Sequence, residues 1–235
     1  MKKSKNKNKN VVYNIIFGDW DELNEPAIVT PGWDYVCFTD TDKKSDVWEI
    51  RKVEKDPSLS DRRNSRKIEI LYHHYLGEYE TTIKVPGYAV LNIDLNEIAD
   101  LLGDSYDMVL LNHPRRKCTY DEFQYYIDVS GDPEGVLAKQ MERYKKEGMP
   151  VRLGLVACGM VVRKIGNKNV EKFCELWWDE VLNYSSNDQH SFMYIYWKYG
   201  LIKYRKWGFR YFNKFIRCGK HHAVNKEYVY KHLLD

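Results

Sequence analysis

Two amides flank a single carboxylate in Asn187-Asp188-Gln189, a polar group within strongly apolar sequence. The tryptophan pair Trp177-Trp178 precedes it, and aromatic residues resume soon after it. A carboxylate and an amide beside so much aromatic surface are typical of a binding or catalytic site. We therefore take Asp188 and Gln189 as candidate catalytic residues. The alternative is that Asp188 only caps the helix that follows it.

The rest of the chain alternates strand-like and helical segments. Short β-branched and aromatic runs predict strands, and apolar residues at helical spacing predict helices. The predicted strands are residues 11–18, 34–40, 48–53, 81–85, 88–93, 108–111 and 155–162. The predicted helices are residues 68–76, 95–102, 120–129, 133–148, 170–182 and 188–199. This alternation predicts an α/β fold with a central mixed sheet flanked by helices.

Polar residues follow three of the predicted strands, as Gly18-Asp19, Thr39-Asp40 and Asn112-His113. In open α/β sheets, ligands bind beyond the carboxyl ends of the strands. The pattern therefore predicts a ligand-binding cleft at this edge of the sheet.

Composition and charge describe a globular protein with a basic tail. The chain has 235 residues, enough for one large domain, and its net charge is +3. Residues 1–10 hold five lysines and no acid, so the remainder carries a net charge of about −2. We interpret residues 1–10 as a disordered tail. Because no apolar stretch follows these lysines and no transmembrane-length apolar run occurs, we expect a cytoplasmic protein.

Several common motifs are absent from the sequence. It has no GxGxxG after the first strand, no P-loop, no HExxH and no GxSxG. Dinucleotide, P-loop, zinc-protease and serine-hydrolase functions therefore have little support. The five cysteines are widely spaced without a CxxC pair, which favours reduced thiols over disulfides or a zinc site.

A cluster of four cations lies where a helix is predicted to start, and consists of Arg62, Arg63, Arg66 and Lys67. Cations at that end oppose the helix dipole, so another interaction must favour them. One explanation is phosphate binding. The other is a solvated basic turn partnered by Asp56 and Asp61.

Two histidine pairs and a basic C-terminal segment are weaker signals. His73-His74 lies on the predicted helix 68–76, and His221-His222 could coordinate a divalent ion or a diphosphate. Residues 189–226 contain no acid but nine Lys/Arg and eleven aromatic residues. That composition suits an anionic ligand, either a nucleotide diphosphate or a nucleic-acid strand. The alternative is an amphipathic element whose aromatic rings pack and whose charges are solvated.

Several segments, in order along the chain, resemble the DUF616 domain, a glycosyltransferase-like family that includes plant TOD1-type proteins. The segments are residues 16–21, 34–40, 67–76, 113–116, 120–122, 140–148, 177–180 and 186–192. The resemblance covers roughly residues 11–200. It implies a GT-A-like single domain at residues 11–200 and transfer of a sugar from a nucleotide-sugar donor. We expect the basic aromatic segment at residues 201–235 to complete the cleft.

The resemblance also implies roles for individual residues. Phe17, Gly18 and Thr39-Asp40 would line the nucleoside pocket. Arg66 and Lys67 would face the diphosphate, with His73 nearby. Asp188 and Gln189 would lie beside the sugar, where donor and acceptor meet.

One departure from the family concerns the metal-binding carboxylate, the Asp of an "IDG" pattern after Ile83. Here the sequence is Val85-Pro86-Gly87, and Pro86 cannot coordinate a cation. Either transfer proceeds without Mn²⁺ or Mg²⁺, or Asp94 substitutes, or activity has been lost. Asp94 and His222 are thus the candidate metal ligands. A second departure is Asn187, where the family usually has Arg.

The sequence therefore predicts a nucleotide-sugar-dependent glycosyltransferase whose acceptor is a glycan, a protein or a nucleobase in DNA. Without a metal, cations of residues 198–222, Lys220 among them, would neutralise the leaving diphosphate. Asp188 would orient the sugar, stabilise the transition state or deprotonate the acceptor hydroxyl. The competing hypothesis is a non-catalytic module that binds nucleotide sugar or nucleic acid.

Overall fold

A computed structural model of the chain describes residues 8–18, 20–132, 134–210, 212 and 216–218. The strands are β1 (Asn10–Ile16), β2 (Trp33–Thr39), β3 (Glu49–Lys52), β4 (Thr81–Lys84), β5 (Ala89–Leu91), β6 (Met108–Asn112), β7 (Val156–Lys164), β8 (Tyr204–Trp207) and β9 (Ile216–Cys218). The helices are α1 (Asp61–Ile70), α2 (Leu95–Ala99), α3 (Thr119–Ser130), α4 (Val136–Glu147), α5 (Lys168–Asn183) and α6 (Gln189–Tyr199).

Within the described ranges, seven strands form one mixed sheet in the order β3-β2-β1-β4-β7-β6-β8. Strand β7 is antiparallel to both of its neighbours, whereas the other pairs are parallel. The other six strands therefore all point the same way, and their carboxyl ends meet at one edge together with the start of β7. Strands β5 and β9 form a separate antiparallel pair.

Both faces of the large sheet are buried, as the alternation along β1 shows. Val11, Tyr13 and Ile15 pack into a core shared with α1 and α3 to α6. Val12 and Ile16 pack into a second core with α2. Burial on both faces explains why β1 is nearly continuously hydrophobic rather than alternating. The predicted α/β class with a mixed sheet is confirmed.

Helix α1 begins earlier than the sequence predicted. Ser60 is its N-cap, and the Ser60 hydroxyl accepts a hydrogen bond from the Arg63 amide at 3.3 Å. The helix ends at Ile70, and a short 3-10 turn spans Tyr72–His74. The predicted helix 68–76 was therefore misplaced, because apolar residues continue through this turn to Leu76 without marking the break. The arginines lie within α1 rather than before it.

Strand β8 was not predicted, because basic residues interrupt its aromatic residues. It pairs in parallel with β6, with Leu110 opposite Lys206, and adds an edge strand to the sheet. The start of the basic C-terminal segment thus belongs to the central sheet.

None of the helices in the described ranges has the length and apolar character needed to cross a lipid bilayer. The cysteines with described side chains, Cys37, Cys118, Cys158 and Cys174, are buried free thiols.

Candidate active site

A cavity of about 260 Å³ opens at the carboxyl edge of the sheet, between β1, β4, β7, α1 and the start of α6. Its lining combines charged side chains with the loop that follows β4. The lining residues are Ile15, Asp21, Ser65, Arg66, Glu69, Lys84, Val85, Pro86, Gly87, Tyr88, Cys158, Gly159, Asp188 and Gln189.

A buried ionic cluster forms the charged wall of this cavity. The Lys84 ammonium lies 2.8 Å from Glu69 Oε1 and donates to the Cys158 carbonyl at 3.2 Å. The Arg66 guanidinium pairs with Glu69 and lies 3.5 Å from Asp188 Oδ2. The exposed fractions are only 6% for Lys84 and 1% for Glu69 and Asp188. Buried charges destabilise a fold unless they are paired, and even a paired buried charge contributes little to stability. Stability alone therefore does not explain this cluster.

Arg62 adds a third cation behind the cavity wall. Its Nε donates to the Ser186 carbonyl at 3.4 Å. Burial, and secondarily the like charge of Arg66, lowers the pKa of Arg62 to about 10. Arg62, Arg66 and Lys84 thus lie close to the three carboxylates of the cavity lining, Asp21, Glu69 and Asp188. Two of these cations, Arg66 and Lys84, line the cavity itself and can pair with a bound anion in a poorly solvated site.

The pKa values of the two carboxylates Glu69 and Asp188 are shifted in opposite directions. Burial acts to raise the pKa of Glu69, but Arg66 and Lys84 outweigh it and hold that pKa below its usual value. Burial raises the pKa of Asp188 above its usual value, and Arg66 compensates only in part. Asp188 Oδ2 accepts no hydrogen bond, although the Arg66 guanidinium lies 3.5 Å from it. Asp188 is thus the more basic of the two carboxylates.

Packing behind the cavity fixes the backbone of Asp188. The Trp177 indole N–H donates to the Asp188 carbonyl at 3.0 Å. Arg63 of α1 donates to the Tyr184 carbonyl at 2.7 Å and so holds the preceding loop. Asp188 is the N-cap residue of α6, but its carboxylate makes no capping hydrogen bond. The capping alternative therefore does not account for this side chain, and the tryptophan supports the site from behind.

The loop that carries Pro86 packs tightly against the end of β1. A Cβ added to Gly87 would lie 2.6 Å from Asp21 Oδ2 and 2.8 Å from Ile16 Cγ1. Both distances are shorter than nonbonded contacts allow, so this position requires glycine. At Gly87 the wall of the cavity is therefore formed by backbone atoms.

Two of the predicted nucleoside-pocket segments meet at the same sheet edge. The Gly18 amide donates to Asp40 Oδ1 at 2.7 Å, and Lys55 lies 2.9 Å from Asp40 Oδ2. Burial acts to raise the pKa of Asp40, but hydrogen bonds from Lys55 and the Gly18 amide outweigh it, so the pKa is lowered. Phe17 and Thr39 are buried alongside. These four predicted residues therefore cluster, just outside the lining of the 260 Å³ cavity.

Other predicted site residues do not join the cavity. Lys67 turns toward Asp56, with 3.9 Å between their charged atoms. His73 Nε2 lies 3.2 Å from Glu175 Oε1, which also contacts His74. Asp94 is exposed, caps α2 through its bond to the Asn96 amide at 2.9 Å, and belongs to the other side of the sheet. Lys220 and His222 lie outside the described residues.

Sequence reasoning missed Lys84 and Glu69, which form the centre of the ionic cluster. A lysine inside a buried strand was a detectable signal, because Thr81–Lys84 otherwise consists of residues with strong strand preference. Glu69 carried no such signal, since a helix surface ordinarily holds acids.

The cavity does not fit a divalent cation of the kind that the fold family implies. Glu69 and Asp188 already face Arg66, and Lys84 would repel a metal ion at the same point. Proline replaces the expected carboxylate at position 86. Within the described ranges, His73, His74 and Glu175 form the group with metal-ligand geometry, and they do not line the cavity.

Family comparison agrees with this geometry. A model of the TOD1/MUCI70 glycosyltransferase-like domain matches residues 35–228. The chain belongs to the TOD1/MUCI70 glycosyltransferase-like family. This match confirms the predicted resemblance, and the mixed sheet with its flanking helices confirms the predicted α/β class.

Two solved glycosyltransferase structures are similar to this chain at very low sequence identity. One is the WbbM bifunctional glycosyltransferase in its apo form, with 10% identity and a TM-score of 0.44 over 75% of this chain and 35% of that one. The chain thus spans about a third of that protein. Another is a glycosyltransferase involved in glycosylation of the major capsid of PBCV-1, with 6% identity and a TM-score of 0.45 over 95% and 98% of the two chains. No curated protein sequence matches this chain.

Proposed function

We propose that the protein is a nucleotide-sugar-dependent glycosyltransferase whose donor diphosphate binds in the 260 Å³ cavity. The observation that carries the proposal is the pair of cations in the cavity lining, Arg66 and Lys84, beside the buried carboxylate of Asp188. Family membership supports the reaction class. The oxygens of a diphosphate would accept charge-assisted hydrogen bonds from these two cations.

The nucleoside part of the donor is assigned to the Gly18–Asp40 cluster. Ile15 of β1 lines the cavity, and Gly18 follows three residues later on the same strand end. Three residues span at most about 10 Å, and Gly18 lies in a turn with a φ of 57°, so the two sites are no farther apart than the nucleoside and the diphosphate of one nucleotide. A single donor molecule would therefore reach from Asp40 to Lys84.

In the proposed reaction, the bond between the anomeric carbon and the diphosphate oxygen breaks while the acceptor oxygen bonds to that carbon. Negative charge then grows on the diphosphate, next to Lys84 and Arg66, which stabilise it in a poorly solvated site. Asp188 accepts the proton of the acceptor hydroxyl, consistent with its raised pKa and with an Oδ2 that accepts no hydrogen bond. The cations thus act where a metal ion serves in related enzymes.

A thermal-shift panel of UDP-, GDP- and CMP-sugars tests the donor assignment. We expect one nucleotide class to raise the melting temperature. At a ligand concentration a hundredfold above Kd, binding adds about 2.7 kcal/mol to the free energy of unfolding. The rise should be the same with Mn²⁺ and with EDTA. A stabilisation that appears only with Mn²⁺ would contradict the cationic site. A lack of response to every donor, together with salt-sensitive DNA binding, would instead favour the non-catalytic module.

A further inference from the structure

A second cavity of about 310 Å³ lies at the same edge of the sheet, lined by Asn112, His113, Arg116, Lys117, Leu155 and Lys206. We propose that it binds the acceptor, and that the acceptor is a saccharide carrying a negatively charged group. This inference rests on the proposed function, because only a transferase has an acceptor site.

The two cavities lie side by side along β7. Leu155, just before this strand, lines the second cavity, and Cys158 lines the first. Three extended residues span about 10 Å. Asn112, which lines the second cavity, is the last residue of β6 and pairs with Val156. The second cavity therefore also lies beyond the carboxyl ends of the strands. A saccharide in it would present a hydroxyl toward the donor within the length of one sugar unit.

Cations without a nearby counter-charge line the second cavity. Neither Lys117 nor Lys206 has a carboxylate within 4.0 Å among the described residues. The Lys206 ammonium packs over Gly154, where an added Cβ would lie 3.0 Å from Nζ. Lys117 and Lys206 are both exposed, although partial burial lowers the pKa of Lys206. An ammonium group without an ion-pair partner can bind an anionic substituent.

The remaining polar wall is rigid. Arg116 pairs with buried Glu122 and stacks 3.8 Å from the Tyr125 ring centroid. The Arg116 amide also donates to His113 Nδ1 at 2.8 Å, which fixes the imidazole. The fixed imidazole and guanidinium offer hydrogen-bonding groups to the hydroxyls of a sugar. The two lysines then select the charged substituent.

The cavity volume favours a compact saccharide over a polymer strand. A volume near 310 Å³ falls at the lower end of small-ligand pockets and fits one saccharide unit with its substituent. A nucleic-acid strand would need a groove that tracks several nucleotides. The charged group is a phosphate or a carboxylate, and either chemistry satisfies the lysines.

Titration calorimetry with glucose 6-phosphate, glucuronate and glucose tests the proposal. We expect the full chain to bind at least one charged sugar and to bind glucose at least tenfold more weakly. Lys117→Met and Lys206→Met should each weaken the charged sugar severalfold, and the double variant at least tenfold. Lys203→Met, an exposed lysine before β8, is the matched control and should bind normally.

Two further arms separate this inference from the proposed function. Lys84→Met should bind the charged sugar normally, which places that sugar outside the donor cavity. Nucleotide binding by the Lys117/Lys206 double variant should be unchanged. Three results would overturn the acceptor inference. They are equal binding of glucose and its charged analogues, normal binding of the charged sugar by the Lys117/Lys206 double variant, and tight binding of an oligothymidylate instead of the charged sugars. Failure of all nucleotides to bind would overturn the proposed function alone.

Discussion

Lys84→Met is expected to lower kcat/KM for sugar transfer by about a hundredfold to a thousandfold, the usual effect of removing one donor to a developing oxyanion. The ammonium lies 2.8 Å from Glu69 and faces the proposed diphosphate site, so its loss removes charge where the leaving group forms. Steady-state kinetics on the full chain measure the effect.

Removal of Lys84 also leaves Glu69 with Arg66 alone, and breaking a buried ion pair costs about 3–5 kcal/mol of the free energy of unfolding. The double variant Glu69→Gln/Lys84→Met removes both charges and should recover most of that stability while remaining inactive. Recovery of activity in the double variant would mean that Lys84 serves the fold only.

A matched pair on α1 separates the cavity from the rest of the basic cluster. Arg66→Met should lose activity, whereas Lys67→Met should retain it, because Lys67 turns toward Asp56. Equal losses in both variants would contradict the placement of the diphosphate.

Asp188→Asn is expected to lower kcat by about a hundredfold to ten-thousandfold, the range for loss of a general base, while donor binding persists. The amide keeps the size of the side chain but cannot accept the proton. In the wild type, protonation of Asp188 should cause activity to fall as pH drops through a pKa above that of an ordinary Asp. Asp188→Asn should lack this acidic limb.

A pH–rate profile with parallel donor titrations measures both effects. Asp179→Asn, an exposed acid on α5, is the control and should match the wild type. Full activity in Asp188→Asn would assign Asp188 to structure rather than to proton transfer.

The sheet and its functional edge could be predicted from the sequence because they depend on local patterns. Buried strands such as β1 are runs of apolar residues, and the polar residues after β1 and β2 marked the edge where Gly18 and Asp40 meet. Trp177 and Asp188 were also detectable as a pair, since aromatic residues beside an isolated carboxylate are uncommon.

The ionic cluster could not be predicted because it depends on contacts between distant segments. Arg66 and Asp188 are 122 positions apart, and nothing local distinguishes Arg66, which enters the cavity, from Lys67, which does not. The position of His73 depends on distant contacts as well, because α5 supplies Glu175 as its partner. Secondary-structure patterns indicate which edge binds a ligand, but side-chain direction requires the packed fold.

Metal-free catalysis by the cationic cavity is tested by the release of nucleoside diphosphate from a panel of nucleotide sugars in EDTA. We expect the wild type to release diphosphate from one donor class without added metal, and Asp188→Asn and Lys84→Met to do so at least a hundredfold more slowly. Release that requires Mn²⁺, or that is equal in all three proteins, would contradict metal-free catalysis by the cationic cavity.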